Sequence, residues 1–310
     1  MKKKISIIIF LGLILFISCK DDNPIKNDKI EQIVQSDKKL FHYELIGTAP
    51  IHTQSVMLTG GDNKLYRFGS RSPVQILDLN TLSWSMFELP DSTFWRWDGA
   101  TITYNNVIYI VATSDISNSI LRFNLETSIM EHTTTHLPAK FHYPAYCENN
   151  GLIIFLSKGS INTFEYRINK DDLKEITKNP FYTEKDLNQT LSSGKYGDYF
   201  YVFGGYPDLS ENLFYRLNLS AYTWEQIDVP EELRRKNLHG SVLDRQFIFL
   251  SDSLSTYSYS LDDQSWIEDT TKTPIPSLGY DAEWSFYSDG ATLFGTNIIT
   301  ENVWAIKYLK

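Results

Sequence analysis

Cysteine is almost missing from this chain: 310 residues contain two, Cys19 and Cys147. Cys19 belongs to an N-terminal segment of different character, so the body keeps one thiol and no internal disulfide can hold it. Stability must come from packing, and Cys147 reads as a small apolar residue on an inner strand. Positive charge is also short. Lys and Arg number 29 against 38 Asp and Glu, a formal charge of −9. No basic patch with interleaved aromatics offsets this, which argues against nucleic acid and against direct adhesion to anionic lipid. G-x-S-x-G, P-loop, H-E-x-x-H and paired C-x-x-C patterns are absent too, removing several common hydrolytic, nucleotide-dependent and zinc chemistries. Sustained helical spacing is rare. Its best case, residues 28–39, would put Ile30, Ile33 and Val34 on one face of a short tether.

Only one long uncharged apolar run exists, residues 5–17, preceded by Lys2, Lys3 and Lys4. It falls short of the about 20 residues that span a bilayer and reads as a secretory signal. The run ends in Phe16-Ile17-Ser18-Cys19, followed by Lys20-Asp21-Asp22. The first four resemble a bacterial lipobox, with Phe16 where Leu is usual. The next three resemble the Lys-acid-acid signal that sends Bacteroidetes-type lipoproteins to the outer face of the outer membrane. The resemblance implies a signal peptide at residues 1–18, then a lipidated Cys19 and flexible tether over residues 19–39. Two or more acyl chains on one Cys give a stable anchor. The expected location is the outer membrane, with the folded part, residues 40–310, exposed at the cell surface.

What is abundant is aromatic residues, 14% of the chain with 19 Tyr and 18 Phe, a composition suited to pleated, half-buried strands. Residues 199–227, YFYVFGGYPDLSENLFYRLNLSAYTWEQI, recur in weaker copies. LYRFGS and VQILDLNTLSW occupy residues 65–84, VIYIVAT and ILRFNLETS precede Met130, and IFLSD and STYSYSLDDQSW end at Trp266. A period in the forties implies a ring or stack of supersecondary units. Small residues keep the same period at Ser55, Ala100, Ala145, Ser192, Ser241 and Ser285. In a propeller, the inner strand of each blade lines a narrow channel and favours small side chains.

The pattern, with Gly204-Gly205 after YVF and Trp224 ahead of Pro230, resembles kelch repeats over residues 40–310. It implies an all-β, six-bladed kelch-like β-propeller with four-stranded antiparallel blades. Trp84, Met130, Trp224 and Trp266 should fill the wedge between blades, with Leu173 or Ile176 standing in for the missing Trp of blade 3, the blade expected to be most irregular. Blade 6 lacks an outer strand of its own. Residues 40–50, LFHYELIGTAP, match the outer-strand copies SMFELP and EQIDVP, so the N-terminal strand is expected to close the last blade.

Propellers bind ligands at the channel mouth, through the loops entering the inner strands. Those loops carry Trp95-Arg96-Trp97-Asp98, His142, the basic run Arg234-Arg235-Lys236, His239 and Trp284. Trp95 and Trp97 could stack on sugar rings, while Arg96 and Asp98 fix hydroxyls or a carboxylate. His52, His142 and His239 fall on alternate blades, too dispersed to share an ion, so no metal is expected. No cofactor is implied. Arg96, Asp281 and Glu283 form an acid-base set without a spacing motif. Galactose oxidases and sialic acid mutarotases share this kind of fold, but no motif carries over residue by residue. The reading is a membrane-anchored propeller that binds a glycan or an envelope protein through one face. Its alternatives are a carbohydrate-active enzyme of the mutarotase or epimerase type and a structural component of an envelope complex.

Overall fold

Aromatic and β-branched residues recurring every second position favour extended backbone, and 25 strands result. The computed structural model describes residues 33–36, 39–53, 56–69, 72–89, 99–111, 119–137, 144–157, 159–183, 191–206, 209–251, 255–275 and 284–309. The first strands are β1 (Val34–Ser36) and β2 (Phe41–Thr48). Blade 1 holds β3 (Val56–Gly61), β4 (Lys64–Gly69), β5 (Val74–Asp78) and β6 (Trp84–Phe87); blade 2 holds β7 (Ala100–Tyr104), β8 (Val107–Val111), β9 (Ser119–Asn124) and β10 (Ile129–His136). Blade 3 comprises β11 (Ala145–Asn149), β12 (Leu152–Leu156), β13 (Asn162–Arg167) and β14 (Asp172–Lys178); blade 4 comprises β15 (Ser192–Tyr196), β16 (Tyr199–Gly204), β17 (Leu213–Asn218) and β18 (Thr223–Ile227). Blade 5 contains β19 (Leu238–Leu243), β20 (Gln246–Ser251), β21 (Thr256–Ser260) and β22 (Ser265–Asp269), and blade 6 contains β23 (Trp284–Ser288), β24 (Leu293–Asn297) and β25 (Asn302–Tyr308). Each blade is an antiparallel sheet, and the inner strands meet neighbour to neighbour until β23 reaches β3. The six-bladed propeller is therefore as expected. A 3-10 turn at Glu231–Leu233 is the single helical element among the described residues.

The repeat has a local cause. At the turn between third and fourth strands, Asp78 Oδ1 accepts from the amides of Asn80 and Thr81, both at 2.9 Å. Asn124 does the same for Glu126 and Thr127, and Asn218 for Ser220 and Ala221. A left-handed residue then closes each turn: Leu82, Ser128 and Tyr222. The D/N-L-x-x-x motif is thus an Asx turn that sets the register of the fourth strand. That register pairs Leu77 with Trp84, Phe123 with Met130, Leu217 with Trp224 and Tyr259 with Trp266. In blade 3 the corresponding pair is Tyr166 and Leu173, so Leu173 holds the missing Trp's place. Blade 3 is not distinctively irregular, because register shifts also interrupt the outer strands of blades 2 and 6.

Closure follows the expected route and adds to it. β2 pairs antiparallel with β25 from Phe41 opposite Tyr308 to Thr48 opposite Asn302. The face of β2 that carries Phe41, Tyr43 and Ile46 is buried. The Tyr43 phenol shares a 2.5 Å hydrogen bond with Thr256 of blade 5. The next segment is clamped from blade 1, where Gln75 bonds both polar backbone groups of Ile51 and the buried Arg67 reaches Ile51 O, Thr53 Oγ1 and Glu301 of blade 6. One expectation fails. Val34, read as part of a helical face, lies in β1, which runs parallel to β22 with Val34 opposite Ile267 and makes blade 5 five-stranded. Ile33 packs on the core between blades 4 and 5. A three-residue strand has no period of its own, and the exposed edge of β22 determines its conformation.

Small inner residues are only partly periodic. Counted back from each tight hairpin, the positions equivalent to Ala100, Ala145 and Ser192 are Met57, His239 and Ser285, so blade 6 keeps its small residue while blades 1 and 5 do not. Ser55 lies outside the described residues. Hydroxyls instead stitch neighbouring inner strands. Thr59 bonds Thr103 at 2.9 Å, Ser193 Oγ accepts from Tyr146 N at 3.1 Å, and Ser192 Oγ accepts from Gly240 N at 2.8 Å. Ser241 donates to Ser193 O at 2.6 Å, and Ser285 Oγ accepts from Leu58 N at 2.8 Å. Adjacent blades meet through side chains at these joints, so short hydroxyl residues satisfy backbone groups that no strand ladder reaches.

Candidate functional site

Six inner strands enclose a cavity of about 770 Å³, within the range of roughly 300–1,000 Å³ typical of small-molecule sites. Its two ends differ in chemistry. One end, the loop face, carries the connections between blades and those joining second to third strands. There the wall is made by Val56, Pro144, Leu191, His239 and Trp284. The other end, the hairpin face, carries the tight turns between first and second strands, and Glu148, Lys195 and Asp244 line the wall there. Between them lies the hydroxyl belt of Thr101, Tyr146, Ser193, Ser241 and Ser285. A ligand entering from the loop face would pass from apolar and aromatic surface, through hydroxyls, to charge.

Trp284 opens β23 at 7% exposure and stacks on Phe286 with centroids 5.6 Å apart and planes 7° off parallel. It is at once a wall of the cavity and part of the core joining blades 5 and 6. His239 lines the cavity from β19 at 8% exposure. Tyr146 is held protonated, its phenol pushed up to about 12 by burial. Burial likewise raises the Cys147 thiol well above its usual range, which suits a core residue. Near the hairpin face, Tyr287 covers Gly60 of blade 1 so closely that any Cβ there would collide with its ring.

The other predicted residues separate into three groups. Arg234 and Arg235 are exposed on the turn after Glu231–Leu233, outside the cavity wall. Arg234 Nε donates to Val229 O at 3.0 Å, and its Nη1 lies 3.9 Å from Glu211. Lys236 sits over the Tyr257 ring, 4.5 Å from its centroid. His52 belongs to the closure clamp, its Nδ1 2.6 Å from Glu301 Oε1, and it does not line the cavity. Trp95, Arg96, Trp97, Asp98, His142, Asp281, Glu283 and the lipidation residue Cys19 lie outside the described residues. Among the described residues, no three His, Cys, Asp or Glu side chains converge as a metal-binding set.

Sequence reading searched the loops before the inner strands and passed over the strands themselves. Tyr146, Glu148, Ser193, Lys195 and Tyr287 were missed for that reason. The available signal for the first four was alternation: they are every second residue of an inner strand, the spacing that carries side chains toward one side, whereas Tyr287 aligns with Gly194 on the other side.

No family model matches the chain, and no curated protein does. Solved structures do match. A structural-genomics protein of unknown function from Bacteroides thetaiotaomicron superposes with a TM-score of 0.63 at 11% identity, covering 87% of this chain and 76% of its own. The structure of YjhT matches with a TM-score of 0.58 at 9% identity, over 83% of this chain and 94% of its own. A protein from Bacteroides ovatus described as an auxiliary nutrient binding protein matches with a TM-score of 0.57 at 11% identity, over 88% of this chain and 78% of its own. These likenesses establish that the chain has the β-propeller fold.

Proposed function

We propose that this protein is a kelch-type binding propeller, anchored through Cys19 in a bacterial outer membrane, that takes up a glycan at the loop-face end of its channel. The observation that carries the reading is the cavity itself, an open space walled by aromatic surface at one mouth and by hydroxyls below it. Sugar rings present apolar faces and hydroxyl edges, and such a wall matches both. Proteins of this fold from two Bacteroides species are described as auxiliary nutrient binding proteins, which supports a binding role in nutrient capture. In this reading Trp95 and Trp97 stack on the glycan. Arg96, Asp98, His142, Arg234, Arg235 and His239 contribute polar contacts, and Trp284 forms the floor beneath the entering ring.

The test is an array of neutral and acidic oligosaccharides followed by calorimetry on the hits. Trp95→Ala or Trp97→Ala should weaken binding at least about tenfold, or about 1.4 kcal/mol, with an unchanged melting temperature. Trp284→Ala should lower both affinity and melting temperature, because its ring is also core. Absence of any binding up to millimolar glycan would overturn the reading. The anchor is tested separately: Cys19→Ser should release the protein from the membrane fraction and abolish incorporation of labelled palmitate.

A further inference from the structure

Lys195 and Glu148 stand at the same level on neighbouring inner strands, one residue before the closing pairs Tyr196–Tyr199 and Asn149–Leu152 of their hairpins. Both side chains line the cavity. Opposite charges on adjacent strands would be expected to pair, yet no ion pair joins these two within 4.0 Å. Glu148 is engaged within its own hairpin, its Oε1 accepting from Gly151 N at 2.8 Å. Asp244, the other carboxylate on this wall, has an interaction of its own. Lys195 is partly buried and, among the described residues, has no carboxylate partner. Its ammonium faces the cavity without a counter-charge, so an anionic group arriving there would meet an unpaired cation.

The hydroxyl belt lies immediately above it. Ser193, two residues before Lys195 on β15, is bonded to the Tyr146 backbone. The Tyr146 phenol stays protonated and able to donate. A ligand reaching Lys195 from the loop face must therefore carry hydroxyls along its length and its negative charge at the leading end. The nearby carboxylates Glu148 and Asp244 act against a ligand of high charge, so a single anionic group is favoured.

We infer that the hairpin-face end of the channel is a subsite in which Lys195 receives the carboxylate of a uronic acid residue at the tip of a glycan. This rests on the glycan reading above and narrows it to acidic glycans that enter end-on. The experiment compares glucuronate- and galacturonate-ended oligosaccharides of one to three rings with their neutral glucose and galactose counterparts, by calorimetry on the full folded chain. The acidic member of each pair should bind at least tenfold tighter. Lys195→Met should bring that ratio to about one while leaving neutral-sugar affinity within twofold, and Lys195→Arg should keep most of the preference. A melting curve establishes that both variants are folded. Neutral and acidic sugars bound equally, or a preference that survives Lys195→Met, would overturn the subsite while leaving the glycan reading intact. Acetate competing as well as the uronates would overturn the sugar component of the subsite. Failure of every sugar to bind would defeat the glycan reading, and the subsite with it.

Discussion

Asp171 shows how one side chain can hold two blades together. It sits in the β13–β14 turn at positive φ, yet its carboxylate serves blade 2. It accepts from Thr134 N at 2.8 Å, Thr134 Oγ1 at 2.6 Å and Thr135 Oγ1 at 3.0 Å, and from Tyr166 OH of its own blade at 2.8 Å. Burial alone would raise its pKa; the Thr134, Tyr166 and Thr135 hydrogen bonds together outweigh that and hold it at about 2, against a usual 3.8. A carboxyl depressed in the folded state stabilises fully above its unfolded value, and the contribution fades as pH falls through the folded one. Asp171→Asn should therefore cost about 1–2 kcal/mol at neutral pH, the low end of the roughly 1.5–3 kcal/mol for hydrogen bonds to a charged group once solvent screening of this partly exposed carboxylate is allowed for. The difference should shrink between pH 3.8 and about 2. Urea melts of both proteins across pH 7 to 2 measure this, and a pH-independent gap would assign the effect to packing. The clamp differs in kind, because Arg67 is fully buried and paired with Glu301, so loss of either partner strands a charge.

At the scale of strands, the sequence revealed what has a period or a repeated turn. The large outer residues were legible because they recur with the blade, and the closing strand because residues 40–50 match the outer-strand copies while blade 6 lacks an outer strand of its own. β1 was not, since its three residues borrow their conformation from β22. The hairpin register of the inner strands was legible only in part: Ser285 holds the expected small position of blade 6, whereas Met57 and His239 occupy that position in blades 1 and 5. Of the site, the mouth at His239 and Trp284 was legible from loop composition. The charged end at Lys195 was hidden, because alternation along a short strand gains meaning only once the ring shows which side faces the channel. The two N-terminal strands also differ in weight. Deleting residues 1–36 removes β1 and the packing of Ile33, and Val34 is 60% exposed, so the cost should be about 1 kcal/mol. Deleting residues 1–48 also removes Phe41, Tyr43 and Ile46, all buried. At about 1.5–3 kcal/mol each, these approach a domain's whole stability of about 5–15 kcal/mol. The shorter deletion should unfold cooperatively in urea and the longer one should not; similar melts for both would show that β2 is dispensable.

On the scale of the whole ring, closure makes the starting blade a matter of chain connectivity. β2 meets β25 as the partner in an ordinary hairpin would, and Leu309 N donates to Leu40 O at 2.8 Å. Joining residue 310 to residue 40 through an Asn-Gly turn would supply the connection that the other five blades already have. New ends can then be opened at the hairpin-face turn Asn105-Asn106, where both residues adopt positive φ, 48° and 59°, and where the neighbouring strands β7 and β8 keep their places in blade 2. That cut leaves every sheet with its strands, while β1 is lost with the removed N-terminal segment. The permuted protein should fold with the near-ultraviolet circular dichroism of the parent and lose no more than about 1–2 kcal/mol beyond the deletion of residues 1–36, a loss that reflects the freed hairpin ends. A cut inside β8 should fail, because Ile108, Ile110 and Val111 are fully buried there. If the turn permutant failed to fold while the linear chain lacking residues 1–36 succeeded, the order of blade formation would matter as much as the closed ring. Equal success would place the stability of this disulfide-free propeller in its blade-to-blade contacts, the hydroxyl joints and the β2–β25 pairing, irrespective of where the chain begins.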